Sequence, residues 1–434
     1  MSTGNFLRRL FGNGVDTVDR RVHELMSHCR ALLAESGEYA SMAIASDALA
    51  AYHALDERAR EAFFDLLVSR YSPAPDAVVR AAALYQSNPS PEKLIELQAI
   101  VEPERQELFR RLNMAPGGTA ALVEMRKTLL KGLREHPAWK LIDFDLMHLL
   151  RSWFNRGFLR LERIDWRTPA LVLEKLIDYE AVHAIRGWWD LRRRLEGDRR
   201  CFAFFHPQLP DEPIIFIEVA LTRGMSAQVQ PLLDKGAPLE SPLNADCAMF
   251  YSITNCQEGL RGISFGNLLI KQVAEELKRE FPHLRRFATL SPIPGFRRWL
   301  SAVRLSAEHR ALLARLEDAA WHLGEVPETL QKLLSRLCAH YLLNAKHGPE
   351  PLDAVARFHL GNGAALERLN WMGDSSEQGM SRAAGLMVNY VYWLAELERN
   401  HERYFREHFI TASPLIERLA REAPVLPAVE KGAA

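Results

Sequence analysis

Three separated stretches of this 434-residue sequence carry side chains that could take part in chemistry. The first is a turn in which a cation and two glycines lead into an apolar-striped helix; it consists of Arg261, Gly262, Ile263, Ser264, Phe265, Gly266 and Asn267. Glycines let the backbone approach a ligand closely, and a helix N-terminus offers unpaired N–H groups with partial positive charge. The combination favours a bound anion, most simply a phosphate or pyrophosphate.

The other two stretches each present one side chain that could move a proton. Ser291 follows a short predicted strand, Arg286–Leu290, and precedes Pro292. Because a residue before proline is pushed toward extended geometry, we expect the direction of its hydroxyl to be fixed. His359 stands beside a Gly-Asn-Gly turn at residues 361–363. A serine before proline is usually only a turn residue, and a single histidine among fifteen is usually packed or at the surface. Residue type alone therefore does not make either one catalytic.

The elements that must position these residues fall into two predicted domains. The first domain is residues 1–154; its pattern is helical from about Val22 to Trp153, with Ser90 and Thr119 as expected helix caps, and predicts an all-α bundle. Residues 155–434 mix strands with helices and predict an α+β domain. The expected strands there are residues 158–164, 201–205, 213–221, 247–254 and 286–290, and helical patterning covers residues 171–195.

Composition narrows the function classes. Lys+Arg and Asp+Glu both count 55, so no global charge favours nucleic acid or an acidic membrane as a partner. No apolar run is long enough to span a bilayer. The N-terminus lacks the apolar core of a secretory signal, and its early arginines are too closely followed by aspartates for a mitochondrial presequence to be favoured. Five scattered cysteines without metal-ligand spacing suit a reducing compartment, so we expect a cytoplasmic protein.

Five motifs, in this order along the chain, resemble the malonyl-CoA decarboxylase family. The likeness runs from about Ala115 to about Trp393 and is weaker in the first hundred residues. The motifs are DYEAVH from Asp178, FYSITNCQEGLRGISFGNLLIKQV from Phe250, EFPHLRRFATLSPIPGF from Glu280, FHLGNGA from Phe358 and NWMGDSSEQGMSRAAGLMVNY from Asn370.

The resemblance implies an N-terminal helical domain, residues 1–154, followed by a catalytic domain of the GNAT acyltransferase fold, residues 155–434. It assigns the seven-residue turn at 261–267 to the CoA pyrophosphate, although Ser264 stands where that fold usually has glycine. It also implies a catalytic pair, Ser291 and His359, with an active-site tyrosine at Tyr392. Asn370, Asn389 and His183 belong to the same motifs and are secondary candidates. Four arginines near the serine are as consistent with the nucleotide phosphates of CoA as with a solvated face; they are Arg285, Arg286, Arg297 and Arg298.

The activity implied is decarboxylation of malonyl-CoA to acetyl-CoA and CO2. The thioester carbonyl would collect the electrons as an enolate, and the Ser/His pair would protonate it, so no metal or other cofactor is expected. Two rivals stay open: an acyl-CoA-dependent N-acyltransferase on the same fold, and a non-catalytic malonyl-CoA sensor or scaffold. The helical domain shows no chemistry of its own, which favours a role in homo-oligomer assembly.

Overall fold

The protein was analysed as a computed structural model that describes residues 14–263 and 269–426. Within these residues the chain forms two compact units. The first contains the described residues up to Leu159 together with His206–Pro210 and residues 257–263. The second contains Arg160–Phe205, Asp211–Cys256 and residues 269–426.

The first unit is built from helices. They are α1 Gly14–Ala34, α2 Glu38–His53, α3 Glu57–Arg70, α4 Pro75–Ser87, α5 Pro91–Val101, α6 Glu104–Leu112, α7 Gly118–Gly132 and α8 Lys140–Trp153. Ser90 caps α5 by accepting a hydrogen bond from the Lys93 N–H, as expected. The cap predicted at Thr119 is wrong. Gly117, with a left-handed φ of 75°, is the N-cap of α7, and the Thr119 hydroxyl donates instead to Asn113.

Aromatic and aliphatic side chains fill the centre of this helical unit. Phe63, Phe64 and Phe109 are almost fully buried. Phe64 packs edge-on against Trp139 with ring centroids 5.0 Å apart, and the Trp139 indole N–H donates to Asp65. Such a core removes a large apolar area from water, which is the main favourable contribution to folding.

The second unit combines one large sheet with helices. Its strands are β1 Arg160–Ile164, β2 Arg199–His206, β3 Leu209–Thr222, β4 Cys247–Asn255, β5 Arg286–Thr289, β6 Ser291–Pro292, β7 Lys346–His347, β8 Glu350–Pro351, β9 Ala365–Asn370 and β10 Met387–Val391. Its helices are α9 Ala170–Tyr179, α10 Trp188–Arg194, α11 Gln230–Leu233, α12 Leu269–Glu280, α13 Phe296–Ala302, α14 Ala307–Leu313, α15 Glu328–Asn344, α16 Ala354–Gly361, α17 Glu377–Ala383, α18 Leu397–Glu407 and α19 Pro414–Arg421.

The predicted strands are all present, with ends shifted by a few residues. The helical region expected at residues 171–195 is instead two helices, α9 and α10, separated by residues 180–187. The physical reason lies at Glu180, whose carboxylate accepts hydrogen bonds from the Val182 and His183 N–H groups. A side chain that satisfies nearby backbone donors competes with the helix for them.

The large sheet is mixed, and the parallel pairing of β4 with β5 determines where a cavity can open. The strand order is β1-β2-β3-β4-β5-β10-β6, with β9 also paired to β10. β1 pairs with β2, β3 with β4, and β10 with β5, β6 and β9, all antiparallel. β4 and β5 run parallel, and α12 lies between them in the chain. The α+β class predicted from the sequence is confirmed.

Candidate active site

The parallel strands β4 and β5 pair only over their first four residues and then separate. Their register runs from Cys247 opposite Arg286 to Phe250 opposite Thr289. β4 continues to Asn255, whereas the chain after β5 turns so that Ser291 pairs with Val388 of β10. The separation leaves unoccupied space beside Ser291.

Three elements bring the predicted catalytic residues into one hydrogen-bonded row. Ser291 begins β6, His359 lies in the last turn of α16, and Tyr392 directly follows β10. The His359 Nε2 is 3.0 Å from the Ser291 Oγ, and its Nδ1 is 2.7 Å from the Tyr392 hydroxyl. The Ser291 hydroxyl donates to the Thr289 Oγ1 over 2.8 Å. With that donor used, the consistent assignment is Nε2–H donating to Ser291 and the Tyr392 O–H donating to Nδ1.

Burial determines the charge state of this row. Ser291, His359 and Tyr392 are between 2% and 4% exposed. Desolvation lowers the pKa of His359 to about 3 and raises the pKa of Tyr392 well above its ordinary value. Both groups are therefore uncharged near neutral pH, because a charged form would lose its hydration without gaining a charged partner.

Residues that sequence reasoning ranked lower, or missed, hold the row in place. Thr289 was missed, although it lies two residues before Ser291 in an extended segment, a spacing that puts both side chains on one face. The Tyr390 N–H donates to the Thr289 Oγ1. The Asn389 side chain donates to the Thr289 carbonyl over 2.7 Å and accepts from Asn370 over 2.9 Å. The two secondary candidates, Asn370 and Asn389, therefore have a structural role: their side-chain hydrogen bonds stabilise the position of β5 beside β10.

The His359 ring has a second contact, with an aromatic face. The Tyr390 ring stacks on the imidazole with centroids 4.6 Å apart and an interplanar angle of 26°. Stacking and the Tyr392 hydrogen bond together define the plane and the direction of the imidazole.

A cavity of about 220 Å³ opens onto Ser291 and His359. Its wall comes from the separating strands, from the 180–187 segment and from α16, and most of its surface is apolar. The lining residues are Val182, Phe250, Tyr251, Ile253, Asn255, Leu290, Ser291, Pro292, Ala354, Val355, Phe358 and His359. A mostly apolar cavity of this kind surrounds a reacting group with few competing polar contacts while presenting a small number of polar donors.

The predicted phosphate-binding turn is only partly described. Ser264, Phe265, Gly266 and Asn267 lie outside the described residues. Arg261 and Gly262 are exposed, and Gly262 has a left-handed φ of 81°, a conformation that glycine adopts without strain.

The start of this turn is held by Arg126 of α7, a residue that sequence reasoning missed. Its Nη1 donates to the carbonyls of Gly259 (2.7 Å) and Arg261 (2.9 Å), and its Nε donates to Asp143 (2.8 Å). Arg126 is only 2% exposed.

The remaining predicted residues lie in other surroundings. Arg285, Arg286 and Arg298 are exposed, and the half-buried Arg297 donates to the Leu316 carbonyl. His183 lies at a second cavity, described below. Within the described parts of the chain, no three His, Cys, Asp or Glu side chains cluster as metal ligands, and no helix has both the length and the apolar character needed to cross a membrane.

Fold and site together define a class of protein. The protein is of the α+β class: a helical region precedes a mixed-sheet unit in which the described parallel strands separate beside a buried serine–histidine–tyrosine row.

Comparison with known proteins identifies the family within this class. Residues 71–154 match the model of the malonyl-CoA decarboxylase N-terminal domain, and residues 157–429 match that of the C-terminal domain. The mitochondrial malonyl-CoA decarboxylase of Mus musculus is 38% identical over 352 residues, which is 74% of this chain and 72% of the mouse protein. The crystal structure of malonyl-CoA decarboxylase from Rhodopseudomonas palustris is 48% identical, with a TM-score of 0.88 over 92% of this chain and 99% of that one. The Agrobacterium vitis structure is 46% identical, with a TM-score of 0.85, and covers 91% of this chain and 99% of its own. The chain belongs to the malonyl-CoA decarboxylase family.

Proposed function

We propose that the Ser291–His359 couple carries out decarboxylation of malonyl-CoA to acetyl-CoA and CO2 in this protein. The observation that carries the proposal is the unbroken hydrogen-bonded row from Tyr392 through His359 to Ser291, whose last two members line a mostly apolar cavity. A protein that only bound malonyl-CoA would have no need to orient a proton donor toward that cavity.

The chemistry follows from the substrate. The bond between the carboxyl carbon and Cα breaks, its electron pair moves into the thioester carbonyl, and an enolate forms as CO2 leaves. One proton then goes to Cα. Because the thioester collects the electrons itself, we propose that no metal or organic cofactor takes part. The protein must hold the carboxylate out of the thioester plane, stabilise the enolate oxygen and deliver the proton.

The uncharged Ser291–His359–Tyr392 row is suited to stabilising the enolate oxygen and to delivering the proton. A neutral imidazole keeps its Nε2–H directed at the Ser291 Oγ, and the Ser291 hydroxyl lines the cavity, where its hydrogen can turn from the Thr289 Oγ1 to a bound substrate. We propose that Ser291 hands the proton to the carbanion and that water replaces it after CO2 has left. Positioned proton transfer of this kind typically contributes about 100- to 10,000-fold.

The CoA portion is assigned to the turn at residues 261–267. Support comes from the exposed Arg261 and from the way Arg126 holds the backbone before it. Replacing Arg261 with alanine should raise KM for malonyl-CoA more than it lowers kcat, because the phosphates are far from the bond that breaks. An unchanged KM would remove this assignment.

A homo-oligomer is proposed from the first unit. The helix α5 has no buried residue along its length, and its Ile95 and Val101 side chains are 64% and 46% exposed. The neighbouring helix α4 exposes Val79 at 67%. Apolar groups gathered on one helix pair are typical of an assembly surface. Light scattering after size-exclusion chromatography should give a multiple of the chain mass, and Ile95→Asp should reduce it; a monomeric parent protein would refute the proposal.

Location in the cytoplasm is also a proposal. Its support is that all five cysteines are buried and unpaired in the structure, as a reducing compartment allows. Cell fractionation with an antibody against the protein would test it.

Mass spectrometry of the acyl-CoA pool tests the central proposal. Purified protein incubated with malonyl-CoA should convert it to acetyl-CoA with release of CO2. Free CoA formed only when an amine is present would indicate an acyltransferase, and unchanged malonyl-CoA that co-purifies with the protein would indicate a sensor.

A further inference from the structure

A second cavity, of about 190 Å³, lies in the same unit. Its wall is mainly apolar, and its few polar groups are His183, Asp374, Gln378 and Arg382. None of these four takes part in the Ser291–His359–Tyr392 row.

The two cavities adjoin. Val182, Pro292 and Val355 line both of them, so these three side chains form the partition. The chain itself passes from one cavity to the other, because Ser291 faces the first and Ile293 faces the second. The second cavity therefore begins one residue beyond the proposed proton donor.

The partition is built to stay in place. The Glu180 carboxylate accepts from the Val182 and His183 N–H groups, each over 2.7 Å, and from the hydroxyls of Ser252 (2.8 Å) and Thr254 (3.3 Å) on β4. Glu180 is 6% exposed. A buried carboxylate with this many donors holds the segment rigidly against the strand.

A second buried charge fixes the same segment from its other side. The Arg194 guanidinium donates to the His183 carbonyl over 3.1 Å and to the Glu218 carboxylate over 2.6 Å. The backbone of His183 is thus bonded through both its N–H and its C=O.

The His183 imidazole is the unexplained group. Its residue is 9% exposed and lines the second cavity, yet its Nε2 has no hydrogen-bond partner among the described residues. Burial lowers the pKa of His183 to about 4, so the ring is neutral and places no charge in the cavity. A buried ring nitrogen left unpaired costs free energy, which marks it as a contact for a ligand.

We propose that the second cavity is a receiving chamber for CO2, separated from the first by Val182, Pro292 and Val355 and lined on its own side by His183. The inference rests on the proposed function. When the carboxyl–Cα bond breaks and its electron pair enters the thioester carbonyl, we propose that the Val182 and Val355 side chains turn on their fixed backbone and let the neutral CO2 through, while the enolate stays with Ser291 and His359.

Two physical effects favour this arrangement. A carboxylate directed at an apolar wall loses hydration that uncharged CO2 does not need, so the wall favours the products. A chamber also separates CO2 from the enolate. Recombination, which would re-form the starting carboxylate, then competes less with protonation, and the uncharged His183 ring in the chamber wall offers CO2 a weak polar contact.

Chamber-filling substitutions test the proposal through isotope effects. Ala383, 2% exposed, lines the second cavity only, so Ala383→Leu reduces the chamber without touching the first cavity. His183→Phe keeps a ring but removes the nitrogen. The matched control is Ala339→Leu, at a buried alanine that lines neither cavity.

If CO2 is held near the enolate, it returns more often. We expect kcat to fall about tenfold in Ala383→Leu, the ¹³C isotope effect at the leaving carboxyl to fall toward unity, and the D2O effect on kcat/KM to rise. His183→Phe should change both effects in the same direction by a smaller amount. The control should keep both isotope effects of the parent protein even if its stability falls.

Unchanged isotope effects in both chamber variants would overturn the chamber while leaving the proposed function intact. A lower kcat with parental isotope effects would do the same, because it would indicate only a structural role. A parent protein that releases no CO2 from malonyl-CoA would overturn the proposed function and the chamber together.

Discussion

Tyr392→Phe removes one hydroxyl and tests whether the orientation of His359 matters. The Tyr392 O–H is the partner of the His359 Nδ1 at 2.7 Å, inside a fully buried row. Without it, either tautomer of the ring leaves Nδ1 unpaired, and only the Ser291–Thr289 hydrogen bond still favours the tautomer that directs Nε2–H at Ser291. An unpaired buried polar group costs about 1–3 kcal/mol, which corresponds to roughly a 5- to 150-fold loss of rate if the cost falls on the reactive arrangement.

The loss should appear in kcat alone. Tyr392 does not contribute to the described wall of the first cavity, so substrate contacts persist and KM should change less than twofold. Acetyl-CoA formation can be followed by chromatography at saturating malonyl-CoA, and binding of acetyl-CoA by calorimetry.

Tyr390→Phe is the matched control. Tyr390 stacks on the same imidazole, yet its hydroxyl has no hydrogen-bond partner within the described part of the chain. Its removal should leave kcat within about twofold. Equal effects of the two substitutions, or a Tyr392→Phe rate within twofold of the parent, would refute the role given to Tyr392 in orienting the ring.

Other perturbations address the couple, the turn and the buried rings. Ser291→Ala and His359→Asn should each lower kcat by about 100-fold or more while acetyl-CoA still binds, because the proposed mechanism places both at the reacting atoms and assigns the CoA contacts to the turn at residues 261–267. Arg126→Lys should raise KM severalfold, since a lysine cannot bond two carbonyls and a carboxylate with the same geometry. The free energy of unfolding should fall as pH drops from about 6.5 toward 4. In that range the pKa values of His359 (about 3) and His183 (about 4) keep both rings unprotonated in the folded state, while the unfolded chain takes up protons. The slope is about 1.4 kcal/mol per pH unit for each ring, and denaturant titrations at several pH values would measure it.

Each of these three predictions has a result that would contradict it. Normal turnover in both Ser291→Ala and His359→Asn would remove the assignment of the couple. For Arg126→Lys, a melting temperature near that of the parent is needed, and a kcat loss at unchanged KM would contradict its role. His183→Phe should make the unfolding free energy less steep between pH 6.5 and 4; an unchanged slope would mean that the ring is protonated in the folded state.

The elements of this protein were predictable because local patterns carry them. Alternating residues at 158–164 and β-rich runs at 213–221 and 247–254 predicted strands that the structure contains, and Ser90 before Pro91 predicted a cap that exists. Backbone preference and periodicity are properties of short segments, so short segments reveal them. The motifs also identified the family, since several separated stretches matched in the correct order.

Contacts between residues that are far apart in the chain could not be predicted from the sequence patterns. Ser291 and His359 are 68 positions apart, and only the pairing of β6 with β10 and the packing of α16 bring Nε2 to 3.0 Å from Oγ. The neutral state of the imidazole was equally hidden, because its low pKa comes from burial by many side chains and not from any neighbour in the chain.

The break between α9 and α10 shows most clearly where prediction from local sequence ends and tertiary contacts decide the structure. Residues 171–195 have helical periodicity, but Glu180 finds hydroxyl partners on β4 and satisfies the Val182 and His183 N–H groups, so the helix stops. That interruption creates the partition between two cavities. The sequence determined which residues prefer helix, strand or turn; the tertiary structure alone decided which of them share a buried space, because burial and long-range hydrogen bonds exist only after the chain has folded.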